Sequence, residues 1–461
     1  MNRKITICSI CLVILLSIAS IIIILLQPQG KHLKIPDGRQ TIEEFRYEGK
    51  DEVAIVTIPD GVKRIGYSVF KNWTSLEEVR LPDSLEEIGS EAFSGCIALK
   101  KISIPENVKI IDSLAFHGCT SLKKVSIPDN AQITVFEGFS DCTALTKINI
   151  PDSVKVIGSS AFENCTSLEK LVLPDGLERI NPDAFNGCTA LDDITIPNSV
   201  VDIGNGVFDG CDKILEGMEK QDGILYLGNW AIKCDADIKN LSFRAGTKGF
   251  AAGLGYGDAL ETVAIPSSLE CSPAFCFQEL SNLKSVKFED NSRLAKLSSY
   301  AFRNCPKLET VDFGKNSALN MIPNNCFEGC VALKKITIPS GVTNIESSAF
   351  ANCTSLKNVD IPNGVDFLTY YLFKGSAIEK LTIPESVSTI YFYAFQDCAA
   401  LDEVIFAKTD NWALYNTSGD RELLYEVDPL ILSDPQKAAE LVKSLEPDSK
   451  NHIIPKLIRT P

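Results

Sequence analysis

Ten of the sixteen cysteines stand three residues after a phenylalanine: Cys96, Cys119, Cys142, Cys165, Cys188, Cys211, Cys305, Cys330, Cys353 and Cys398. Thiols in such a series could pair as disulfides, hold metal, or fill a core. The same slot carries Trp73 in one copy and Leu280 in another, so it is an apolar position. A buried free cysteine serves there as a small hydrophobe. Side chains in register on parallel strands have Cβ atoms about 4.8 Å apart, beyond the usual disulfide separation. Zinc ligands come in short local pairs, which this spacing lacks. Reduced, buried thiols are therefore expected, ahead of disulfides and of metal. A second series is Lys101, Lys124, Lys147 and Lys170, each 23 residues from the next, with Arg80 nearby. An exposed row of ammonium groups about 5 Å apart invites a counter-charge. An acidic protein segment or a sulfated glycan could supply it, as could the chain's own Glu169, Asp192 or Asp193. The plainer alternative is a solvated strand face, with Glu77, Glu78 and Glu169 close by.

Little else in the chain reads as chemistry. Only His32, His117 and His452 are available for imidazole work, and His117 is expected on the surface. There is no GxSxG, HExxH or P-loop pattern. The glycine-rich 253–258 stretch, GLGYGD, reads as loop geometry. Sixty carboxylates are scattered, and no catalytic pair stands out. No metal, cofactor or catalytic residue is assigned. A formal charge of −15 argues against nucleic acid as a partner. Glycosylation patterns begin at Asn72, Asn164, Asn240, Asn352 and Asn416, but two of them, at Asn164 and Asn352, arise from the repeat itself.

What must position the thiols and lysines is a repeat. Phe70, Phe93, Phe116, Phe139, Phe162, Phe185 and Phe208 lie 23 apart, as do the prolines from Pro59 to Pro197. Later phenylalanines (Phe277, Phe302, Phe327, Phe350, Phe373, Phe395) keep nearly the same rhythm. A fixed period over roughly residues 53–406 predicts a solenoid of some fourteen stacked coils. Within one unit, 121–128 (SLKKVSIP) turns Leu122, Val125 and Ile127 inward and Lys124 and Ser126 outward, which is strand alternation. Proline then ends the strand. A second short apolar step follows, such as Val156-Ile157, and then a short helix-like turn carrying Ala-Phe. Two residues past the phenylalanine stand Asn72, Gly95, Gly118, Asp141, Asn164, Gly187, Gly210, Asn304, Gly329, Asn352 and Asp397. That residue set predicts a left-handed backbone position in each coil.

The phrase C-T-S-L-K-K-V-S-I-P (119–128) with I-G-x-x-A-F at this period resembles the BspA-like class of bacterial cell-surface leucine-rich repeats. The resemblance covers about three-quarters of the chain, with departures at 131–134 and at Phe367-Leu368. It implies a leucine-rich repeat solenoid of α/β-type coils with a parallel sheet on the concave face. It also implies an adhesin-like, non-enzymatic role in binding host, matrix or other surface proteins. A surface hydrolase acting on glycans and a purely structural scaffold are the alternatives. After Cys211 the rhythm breaks; 212–240 is expected to hold a β-hairpin turning at Gly228-Asn229 and connecting two halves, 53–211 and 241–406. Residues 31–52 would cap one end. Residues 407–461 would cap the other with a hairpin and a helix starting at Asp434-Pro435.

Residues 1–30 are of another kind. Arg3 and Lys4 precede an uncharged stretch from Ile5 to Leu26, long enough to cross a bilayer as a helix. No small-residue cleavage site follows it. An uncleaved signal-anchor is expected, giving a single-pass membrane protein with an extracellular repeat domain. A cleaved signal is the alternative, and either leaves the repeats outside. Cys8 and Cys11 lie in the apolar run and are read as membrane filling.

Overall fold

The structure, a computed structural model, describes residues 32–43, 50–273, 276–416, 422–445 and 455–459. The expected signal-anchor falls outside them. Among the described residues no helix is long and apolar enough to cross a membrane. The described residues form two compact units. The first runs to Ser199 and takes in Phe208–Glu216; the second holds Val200–Val207 and everything from Gly217 on.

In the first unit each coil contributes one strand to each of two parallel ladders. One ladder runs His32–Lys34, Ile55–Thr57, Glu78–Arg80, Lys101–Ser103, Lys124–Ser126 and Lys147–Ile148. Lys170–Leu171 and Asp193–Ile194 pair beyond them. The other side holds Thr41–Ile42, Arg64–Ile65, Glu87–Ile88 and Ile110–Ile111, then Val135–Phe136, Val156–Ile157 and Arg179–Ile180. The alternation in each strand does what was expected: Leu122, Val125 and Ile127 are buried, Lys124 exposed. The described residues of the segment read as a cap, 31–52, include two strands that extend the ladders. His32–Lys34 pairs in register with Ile55–Thr57, and Thr41–Ile42 with Arg64–Ile65.

The second unit repeats the plan. Asn240–Ser242, Thr262–Ile265, Ser285–Phe288 and Thr310–Asp312 form one parallel sheet; Lys335–Thr337, Asn358–Asp360, Lys380–Ile383 and Glu403–Phe406 form another. Ile224–Leu227 and Trp230–Cys234 pair antiparallel around Gly228-Asn229, as the sequence predicts. At the C-terminal side Trp412–Asn416 and Glu422–Glu426 make the second hairpin. The helix Pro435–Lys443 begins where Asp434 accepts the Gln436 and Lys437 amides. A strand the sequence did not announce, Pro455–Arg459, pairs antiparallel with both Thr389–Tyr391 and Trp412–Asn416. It closes edges that would otherwise carry unpaired amides and carbonyls.

The helix-like Ala-Phe segment is corrected by the structure: it is a pair of turns. Its alternate amides bond to the next coil, as Phe93 N–H does to Ala115 O at 2.8 Å and Gly95 N–H to His117 O at 2.7 Å, while those between close turns within the coil, as Ser94 N–H does to Glu91 O. The reason is local. The residues two before and two after most of the repeat phenylalanines have positive φ, Gly138 taking the first role beside Phe139, which breaks the helical run and turns amides outward. The repeat phenylalanines stack inside, with Phe93–Phe116 centroids 5.4 Å apart and Phe327–Phe350 5.6 Å apart.

Candidate functional site

The ladder cysteines come first, because their chemistry is settled by their surroundings. All ten are buried and free. Each points its sulfur at the carbonyl of the repeat phenylalanine in the preceding coil: Cys96 Sγ donates to Phe70 O at 3.2 Å, Cys211 to Phe185 O at 2.9 Å, and Cys398 to Phe373 O at 3.0 Å. That carbonyl also accepts the amide three residues on, as Phe93 O does from Cys96 N–H at 3.2 Å. The thiol therefore fills the second lone pair of a buried carbonyl, which an alanine or valine would leave unmet. Sequence reasoning identified the packing role and missed this bond. Ser376 in the slot of its coil, another weak donor, was the available hint. Burial pushes the Cys96, Cys165 and Cys353 thiols up to about 12. Such thiols are neither nucleophiles nor metal ligands at neutral pH. Among the described residues no group of side chains has the makings of a metal site.

The lysines occupy one column of the first unit's sheet face. Lys101 is in register with Lys124, and Lys124 with Lys147. The three ammonium groups make no ion pair among the described residues. On one flank of the column stands Glu78, in register with Lys101 and bonded to Arg80 at 2.8 Å. The Arg80 guanidinium holds the Glu78 carboxyl below the usual carboxylate range. On the other flank Lys170 is in register with Asp193 and bonded to its carboxylate. The structure thus splits the five sequence candidates: Lys101, Lys124 and Lys147 stand open, while Arg80 and Lys170 are each engaged by the chain's own acids. Glu169 is not the partner; Asp193 is. Lys100, one residue outside the row, pairs with Glu77 at 2.8 Å.

The column edges a shallow depression of about 400 Å³ lined by Arg80, Asp83, Lys101, Ser103, Lys124 and Ser126. The hydroxyls come from the alternate strand positions, two residues past each lysine, which face the same side. Further along the same coil position stands Val172, 70% exposed. Together these give cations, hydroxyl donors and one apolar contact on a parallel sheet face. His117 is on the surface as expected, within 3.0 Å of Ser140 Oγ and 3.3 Å of Asp141 Oδ2. The 253–258 stretch is a loop, with Gly253 and Gly255 at positive φ.

A six-copy family model described as BspA type leucine rich repeat region matches residues 40–169, 135–254, 254–330 and 320–418. Among solved structures, a leucine rich cell surface protein from Faecalibacterium prausnitzii A2-165 is 28% identical, covering 80% of this chain and 91% of that one, at a TM-score of 0.36. A leucine-rich repeat protein from Bacteroides ovatus ATCC 8483 is 22% identical over 82% of this chain and 92% of its own, at a TM-score of 0.33. The T. pallidum leucine rich repeat protein is 33% identical over 41% of this chain and 86% of its own, also at 0.33. No curated protein matches.

Proposed function

We propose, from the premise that this chain belongs to the BspA-type leucine-rich repeat family, that it is a non-enzymatic protein-interaction module acting at the cell surface. The observation that carries the reading is the open lysine column. Three cations stand side by side on the exposed sheet of a chain with net charge −15, without an ion pair among the described residues. Adjacent like charges on a sheet are mildly destabilising, so a folding role does not account for them. An acidic ligand does. The N-terminal stretch Ile5–Leu26 would tether the module to the membrane as a single-pass anchor.

The test of the surface is a pull-down with the chain against host extracellular and bacterial surface fractions, run beside the triple variant K101E/K124E/K147E. The variant should fold with an unchanged melting temperature and lose the captured partner. A variant that captures as well as the parent places the ligand surface elsewhere. N-terminal sequencing of the membrane-extracted protein should begin at or near residue 1; a start near residue 28 or later would mean a cleaved signal.

A further inference from the structure

We infer that the lysine column docks a short acidic α-helix of a partner protein, presenting carboxylates from successive turns to Lys101, Lys124 and Lys147. This deepens the reading above and rests on it. Strands in register are about 4.8 Å apart, so two intervals along the column span about 9.6 Å. In a helix laid across the strands, residues i, i+4 and i+7 share a face, and the rise from first to last is about 10.5 Å. An extended segment turns alternate residues the same way, and three such residues span about 13 Å. The helix matches within about 1 Å with the lysine stems parallel; the extended chain overshoots by more than 3 Å and would splay them.

The length of the site argues against a long polyanion. The open column is only three cations, bounded by ion pairs the chain makes itself, Glu78 with Arg80 on one side and Lys170 with Asp193 on the other. A sulfated polysaccharide running along the stack would find the cations at both ends already neutralised. A segment with three carboxylates on one face fits between them. Exposed Val172 lies at the coil position beside the Asp193 end and offers an apolar contact to a residue at one end of such a helix.

The experiment uses the full chain and two fluorescent peptides of equal composition. One is side-chain-stapled as a helix with glutamates at i, i+4 and i+7; the other is interrupted by proline. Fluorescence anisotropy should show the helical peptide binding at least tenfold tighter. K101Q/K124Q/K147Q should abolish that binding, while K170Q, whose lysine already serves Asp193, should change it less than about twofold. Binding should also weaken by tenfold or more between 50 and 500 mM NaCl, since exposed charges are screened. Equal affinity for the two peptides, no binding of either, or tighter binding of heparin through the same lysines overturns the helix inference. If both peptides bind equally and the triple variant loses both, the sheet face remains the ligand surface and only the helix is wrong. If the triple variant binds as the parent does, the reading of the face falls with it.

Discussion

At the scale of single residues, two features set the energetics of the coil. The first is the thiol ladder. Each buried thiol keeps its proton in the folded state, where burial holds Cys96 at about 12, and loses it near pH 8.5 in the unfolded chain. Above the unfolded value the native state binds more protons than the unfolded one, so stability falls as pH rises, by up to about 1.4 kcal/mol per pH unit for each such thiol. The window lies between about 8.5 and 12, and below it the contribution is complete. Thermal melts from pH 7 to 11 should therefore show a steep fall above pH 9 that is absent between pH 7 and 8. A flat profile would mean the ladder is not made of buried thiols. The second feature is the left-handed position two residues before most of the repeat phenylalanines. It holds Leu114 at φ 59°, Tyr300 at 63°, Tyr371 at 56° and Tyr393 at 60°. Non-glycine residues pay about 1–2 kcal/mol there. Leu114 is 39% exposed, so little packing is lost by removing it. Leu114→Gly should raise stability by up to about 1 kcal/mol, read by urea denaturation; a loss would show that the side chain's contacts outweigh its strain.

At the scale of the coil and its neighbour, the turn after the phenylalanine is a two-coil device. Asparagine in one coil is followed by glycine in the next at Asn72/Gly95, Asn164/Gly187, Asn304/Gly329 and Asn352/Gly375. A Cβ on Gly95 would meet Asn72 Oδ1 at 2.2 Å, and one on Gly187 would meet Asn164 Oδ1 at 2.4 Å. The asparagine side chain lies where the next coil's side chain would be, so glycine there is favoured twice, by φ and by space. Gly95→Ala should cost more than about 2 kcal/mol. Asn72→Gly added to it should recover part of that, leaving the backbone cost alone. Additive penalties in this double-mutant cycle would mean the two coils do not share the turn. The phenylalanine stack is the other element-scale device. Phe327, flat between Phe302 and Phe350, should cost about 3–5 kcal/mol when cut to alanine.

At the scale of the molecule, the repeat solves its own core and leaves its ends to be closed. In the second unit the Pro455–Arg459 strand covers the Thr389–Tyr391 edge on one side and Trp412–Asn416 on the other. The short helix Pro435–Lys443 adds to this closure, Lys443 Nζ donating to Leu401 O at 2.9 Å and Leu445 O accepting from Tyr393 N–H at 2.9 Å. A chain ending at residue 454 should melt lower than the full chain and associate in a concentration-dependent way, because two strand edges are then free. Analytical ultracentrifugation with thermal melts would read both effects. A truncated chain that stays monomeric with an unchanged melting temperature would show that the strand is dispensable.

The sequence determined whatever repeats. Spacing alone placed the buried Phe, Leu and Cys positions, the proline-ended strands, the left-handed slot at Asn72 and its equivalents, and the register that lines up Lys101, Lys124 and Lys147. These are legible because each coil imposes the same steric demand on the same position, so the demand recurs as a residue type. The Gly228-Asn229 hairpin and the Asp434 helix start were legible for a related reason: both are fixed by residues adjacent in the chain. What depends on a partner 23 or more residues away with no repeating residue type was decided only by the tertiary structure. The left-handed slot two before the phenylalanine tolerates leucine and tyrosine because inter-coil amide bonds over-determine it, and glycine marks it in one coil alone, at Gly206. The thiol's acceptor is a backbone carbonyl, which has no signature in sequence. Lys170 looks identical to Lys147 in its repeat, and only the pairing of its strand with the one bearing Asp193 removes it from the open column. The Pro455–Arg459 strand inserts between two elements distant in the chain, so nothing local foretold its place.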